Sequence, residues 1–106
     1  MIEELQSQID RVEAICGLIE NEQEYMGELT GYLPMLNQTV NYLLTGSQSP
    51  EISFHIEEQF VIQLLNDILY GIEQQDTVFL LDALRYGLKE LYSYCRDSLQ
   101  CGGNHE

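Results

Sequence analysis

The stretch Ile2-Glu-Glu-Leu5-Gln-Ser-Gln-Ile9-Asp-Arg-Val12-Glu-Ala-Ile-Cys16-Gly-Leu-Ile19 decides the fold. Its apolar residues Ile2, Leu5, Ile9, Val12, Cys16 and Ile19 are spaced 3-4-3-4-3. Residues three and four apart share a helix face, so these six form one seam. The positions between them are mostly Glu, Gln, Ser and Asp, which suits a solvent face. The same spacing returns at Met26, Leu29, Leu33, Leu36, Val40 and Leu43. Glu20 to Glu24 holds no apolar residue, and the order of threes and fours restarts across it. A single straight helix keeps its phase, so a turn is expected near residues 20–24.

Pro34 falls inside the second seam, where a proline removes a hydrogen bond and costs about 3 kcal/mol. Gly27 and Gly31 precede it. Two readings stay open: a helix from about residue 24 that kinks at Pro34, or a new helix starting near Thr30. Gly46-Ser-Gln-Ser-Pro50 reads as a loop. A third helix is expected to start between Ser49 and Ser53. Eleven apolar residues lie between Ile52 and Ile72, more than one stripe requires. This helix should be the most buried, with a surplus at Phe54, Phe60 or Ile62 that needs a partner. Gln74-Gln75-Asp76 reads as a tight turn, with Asp76 capping a fourth helix. That helix carries Leu81, Leu84, Leu88, Leu91 and Cys95 and is expected to fray after Asp97. Leu65 and Leu88 should be core residues. No period-2 alternation suggests a strand.

The expected fold is therefore all-α: an antiparallel up-down four-helix bundle over residues 1–97, with a tail at 98–106. A length of 106 residues fits one domain. The in-helix Gly71 and Gly87 read as points of close helix crossing, with a surface cleft left open for a ligand or peptide as the functional alternative.

Charge narrows the function. Eighteen Asp and Glu face four Lys and Arg, a formal net charge of -14. Nucleic-acid binding needs clustered cations to displace counterions, and docking on anionic membrane needs them too. Neither is expected. Arg85, Lys89 and Arg96 fall within about 40° of one another at 100° per residue. Met1 to Glu28 holds eight acids and only Arg11. The basic stripe is expected to face the acidic first helix. The opening Met1-Ile-Glu-Glu4 lacks the positive start of a secretory signal, and three cysteines are an odd count for a disulfide framework. A cytoplasmic protein is the expectation.

No constellation for catalysis, metal or cofactor stands out. A di-iron bundle needs paired Glu-x-x-His elements. Only His55 and His105 are present, and Glu51 stands four before His55. Cys95, Cys101 and His105 have the wrong spacing for structural zinc. Cys16 and Cys95 occupy seam positions and read as core. The seven tyrosines, with no tryptophan, read mostly as boundary residues beside the seams; as a binding surface they would offer area at low entropy cost. The candidate partner-binding set is Phe54, Phe60, Ile62, Tyr70, Tyr86 and Tyr92.

Leu36-Asn-Gln-Thr-Val-Asn-Tyr-Leu-Leu44, Glu51-Ile-Ser53, Phe79-Leu-Leu-Asp-Ala-Leu84 and Leu88-Lys-Glu-Leu91 give the stretch from Leu36 to Asp97 a resemblance. It resembles the flagellin-specific export chaperones of bacteria, and the chain also looks like small, functionally unassigned acidic helical proteins of Firmicutes. The chaperone family begins with an extended segment, whereas this chain reads directly into a helix. The resemblance implies a cytosolic helical bundle that holds a protein segment, and no site residue is carried over from it. The expected function is a non-enzymatic adaptor or chaperone-like module holding an amphipathic segment of a protein partner. The alternative is a structural homodimer that closes the same apolar surface by self-association.

Overall fold

The computed structural model describes residues 2–46 and 55–103. Its fold is all-α, with four helices and no strand among the described residues. Helix α1 spans Ile2–Glu20, α2 Met26–Gly46 and α3 Glu58–Gln74. Helix α4 is one rod in three parts. It is α-helical over Thr77–Leu81, π-helical over Asp82–Leu88 and α-helical again over Lys89–Gly103. No described helix is long and apolar enough to cross a membrane.

The turn expected near residues 20–24 separates α1 from α2. Glu22 sits in the left-handed region at φ 57°. Around it, Gln23 N–H donates to the Leu18 carbonyl and Glu22 N–H to that of Ile19. This pattern closes the carbonyls that a helix end leaves orphaned. The end of α3 repeats it. Gln75 has φ 54°, its N–H donates to Ile72, and Asp76 N–H donates to Gly71. Asp76 then caps α4 by accepting from Phe79 N–H at 3.1 Å.

Helix α2 starts at Met26 and runs across Pro34 without a break. Glu24 accepts from Gly27 N–H at its start. Pro34 and Thr30 both lie on the exposed face. The carbonyl that loses its partner there is open to water, so the proline is tolerated.

Boundary and burial expectations are corrected at four points. First, Glu58 opens α3; His55 to Glu57 are not helical, and residues 49–54 lie outside the described residues. Ile56 is buried nonetheless, from a non-helical segment. Its spacing of four from Phe60 imitates a helical seam. Second, α4 continues past Asp97 to Gly103. Third, α3 is not the most buried helix, and α4 contributes more to the core. It buries Leu80, Ala83, Leu84, Leu88, Leu91, Tyr92 and Cys95, while α3 buries Val61, Leu64, Ile68 and Gly71. The reason is position: α4 packs closely on both α1 and α3. Leu88 is core as expected, but Leu65 is only partly buried.

The two in-helix glycines mark the α3–α4 crossing. A Cβ on Gly71 would stand 2.7 Å from Leu80 Cγ, and one on Gly87 2.5 Å from Leu64 Cδ1. At Gly71 a Cβ would crowd the branch point of Leu80, whereas at Gly87 it would meet the movable tip of Leu64.

Candidate functional site

Helix α4 has one charged side and one aromatic side. The charged side meets α1. Arg85 donates to both Glu20 carboxylate oxygens, at 2.7 and 3.3 Å, and its Nη2 lies 3.6 Å from Glu13. Lys89 Nζ donates to Glu13 Oε2 at 2.6 Å. Arg96 donates to Gln6 Oε1 at 2.7 Å and to the adjacent Asp97. The hydrogen bond from Lys89 and its charge hold the Glu13 carboxyl below the usual carboxylate range. Arg85 does the same to Glu20. The basic stripe therefore faces the acidic first helix, as its spacing implies. Arg11 is engaged as well, 3.6 Å from Glu28 and 5.4 Å above the Tyr32 ring.

Two tyrosines belong to the core. Tyr92 and Tyr32 are both fully buried, and their hydroxyls lie 2.9 Å apart. Tyr32 donates onward to Gln8 Oε1. Tyr92 is thus removed from the candidate partner-binding set. Burial pushes the Tyr32 hydroxyl up to about 12 and Tyr92 higher still, so the pair stays protonated. A usable signal was present in the sequence: Tyr92 is four residues from Leu88 and three from Cys95, and Tyr32 is three from Leu29 and four from Leu36. Both sit on seams, not beside them.

The remaining candidates divide between two faces. Phe60 and Tyr86, 49% and 69% exposed, line one shallow groove of about 250 Å³ between α3 and α4. Buried Leu64 and Ala83 form its floor. Phe79 joins the wall, and Tyr70 packs edge-on against that ring with centroids 5.3 Å apart. Asp67 and Asp82 stand on the same lining. Phe60 also lines a second hollow with Ile56, Leu91 and Tyr94, beside Glu57 and Glu90. The two hollows thus meet at one ring. His55, itself exposed, anchors this end by donating its backbone N–H to the Tyr94 hydroxyl at 3.0 Å. Phe54 lies outside the described residues.

Ile62 is not part of this groove. It is 50% exposed on the other side of α3, where it lines a depression with Leu33, Leu65 and Leu69. Asn37 and Asn66 are the polar residues there, and no charged side chain contributes.

The π-helical stretch was not legible in advance. Lys89 N–H donates to the Leu84 carbonyl, five residues back. Such a stretch spends an extra residue per turn and recurs at functional sites. Here it carries Asp82 and Tyr86 on the groove and Arg85 on α1.

Burial raises the Cys16 thiol to about 11 and the Cys95 thiol to about 12, so neither is a thiolate at neutral pH. Among the described residues no cluster of His, Cys, Asp and Glu could hold a metal ion. No protein-family model, curated protein or solved structure matches the chain.

Proposed function

We propose that this chain is a non-enzymatic, cytoplasmic, chaperone-like helical module that holds an amphipathic segment of a protein partner. The scaffold in this reading is an antiparallel up-down four-helix bundle. Its support is the order of the contacts: Gln6 with Arg96, Glu13 with Lys89 and Glu20 with Arg85 descend on α4 as they ascend on α1. Gln8 with Tyr32, and Arg11 with Glu28, do the same on α2.

The observation that carries the binding role is the groove between α3 and α4. Phe60 and Tyr86 stand half or more out of the surface above an apolar floor. Half-exposed aromatic side chains around a concave apolar floor are how helix-in-groove sites accept a partner's apolar stripe. The test is a fluorescence titration with an 18-residue leucine-faced amphipathic peptide. Saturable binding to wild type, weakened in Phe60→Ser and Tyr86→Ala, is the expected result. No binding by wild type contradicts the reading.

A second reading, a structural homodimer, draws on the depression around Ile62 and Leu69. Copies that each carry a net charge of -14 repel one another, and an uncharged face is where they could approach. Light scattering at micromolar concentration distinguishes the two. A mass near 12.2 kDa supports the module, and about twice that mass, abolished by Ile62→Glu, supports the dimer.

A further inference from the structure

We infer that the segment received by the α3–α4 groove is cationic: an amphipathic helix whose apolar stripe is flanked by Lys or Arg. This rests on the reading of that groove as the binding site, and adds the chemistry of its occupant. The argument is charge complementarity. Asp67 and Asp82 line the hollow around Tyr86, and Glu57 and Glu90 line its continuation past Phe60. Among the described residues no Lys or Arg pairs with these four carboxylates. Arg85, Lys89, Arg96 and Arg11 are all committed elsewhere, to Glu20, Glu13, Asp97 and Glu28. Among the described residues Asp67 accepts from the neutral amide of Gln63, and Glu57 faces the imidazole of His55, 3.4 Å away.

An apolar groove with a carboxylate rim selects its partner twice. The floor takes leucine-like side chains, and the rim rejects an acidic neighbour and attracts a basic one. Tyr86 adds a third element. Its ring is exposed, it sits four residues after Asp82, and an electron-rich face beside a carboxylate is a favourable place for an ammonium or guanidinium group. A partner helix with a neutral polar face would leave that arrangement unused. The opposite depression around Ile62 has no charged lining and makes no such selection.

The experiment compares three 18-residue helical peptides with the same leucine face, whose polar face is Lys, Gln or Glu. Each is titrated against the full chain at low and at moderate salt. The protein variants are Asp67→Asn/Asp82→Asn at the rim and Glu3→Gln/Asp10→Asn on the exposed face of α1, which removes the same charge away from the groove. The expected order is Lys, then Gln, then Glu. An exposed carboxylate–ammonium pair changes affinity by about two- to five-fold, so the rim variant, which removes two, should lose about four- to twenty-five-fold for the Lys peptide. It should lose little for the Gln peptide, and the α1 variant should lose little for either. Added salt should weaken the Lys peptide most.

Equal affinity of the Lys and Gln peptides, unaffected by the rim variant, overturns the cationic occupant while leaving the groove as a binding site. An equal loss in the α1 variant also overturns it, because the attraction would then belong to the chain's overall charge. No binding by any peptide overturns the inference and the binding role together.

Discussion

Against α1, helix α4 presents Arg85, Lys89 and Arg96, and each finds a carboxylate or amide oxygen within hydrogen-bonding distance. Against α3 it presents Asp82, Tyr86 and Gly87, and the contact stays open enough to hold a groove. The same rod is closed on one side and open on the other. The closed side is where long, flexible cations meet a helix rich in Glu. The open side is where two glycines bring the backbones together while aromatic rings nearby stand too high to be covered. A contact can therefore be close at its glycines and open at its rim. Tight crossing and a receptive groove coexist along one pair of helices.

The sharpest way to break this comparison is to cut the shared core beneath both sides. Leu88 is fully buried, and Leu88→Ala should cost about 2–5 kcal/mol, a large share of a small domain's stability. Tyr86, two residues earlier and mostly exposed, should tolerate Ala within about 0.5 kcal/mol. Denaturant melts of the two variants check this. Similar losses would mean that the groove wall is part of the core.

The glycines test the crossing itself. Gly71→Ala places a Cβ against Leu80 Cγ, on a side chain with no exposed surface and no room to move. The overpacking should cost about 1–3 kcal/mol, even after the better helix propensity of Ala. Gly87→Ala meets the tip of Leu64, which can shift, and should be nearly neutral. Thermal melts showing the reverse order would place the tight point at the other end of the crossing.

Tyr92→Phe probes the buried hydroxyl pair beneath the charged side. It removes one partner of Tyr32, whose hydroxyl keeps Gln8, so the loss should be about 1 kcal/mol. A loss near zero would show that the two hydroxyls contribute packing alone.

Glu13→Gln is the mildest test and carries a pH signature. The carboxyl of Glu13 is held below its ordinary value of 4.5, first by the hydrogen bond from Lys89. A lowered folded value means stability that is present at neutral pH and lost as pH falls through that value. Wild type should exceed Glu13→Gln by about 0.5–1 kcal/mol at pH 7, for a half-exposed pair. The gap should shrink as the pH is taken below 4.5. A gap that persists in acid would assign the effect to packing.

The two seams of α1 and α2 were legible because their spacing is regular and the run from Glu20 to Glu24 between them holds no apolar residue. Leu5, Ile9, Val12, Cys16 and Ile19 are all buried, as the 3-4 rhythm requires. The charged side of α4 was legible too, since three cations on one stripe beside an acidic helix have few other places to go. The groove was legible only in part. The surplus of apolar residues on the third helix is real: Ile62, Leu69 and Tyr70 are 50%, 53% and 52% exposed. Its division between two faces was not, because both faces draw on one helical period. Tyr92 was misjudged because its hydroxyl suggested a surface, although its spacing placed it on the seam. The π-helical turn leaves no mark in residue spacing, and Ile56 mimics a helical position from a non-helical segment.

The most direct measurement is a backbone amide NMR titration of the full chain with the Lys-faced peptide. The account predicts shift changes clustered at Phe60, Asp67, Phe79, Asp82 and Tyr86, with Glu13, Lys89 and Arg96 unmoved. Changes centred instead on the α1–α4 pairs, or on Ile62 and Leu69 alone, would contradict it.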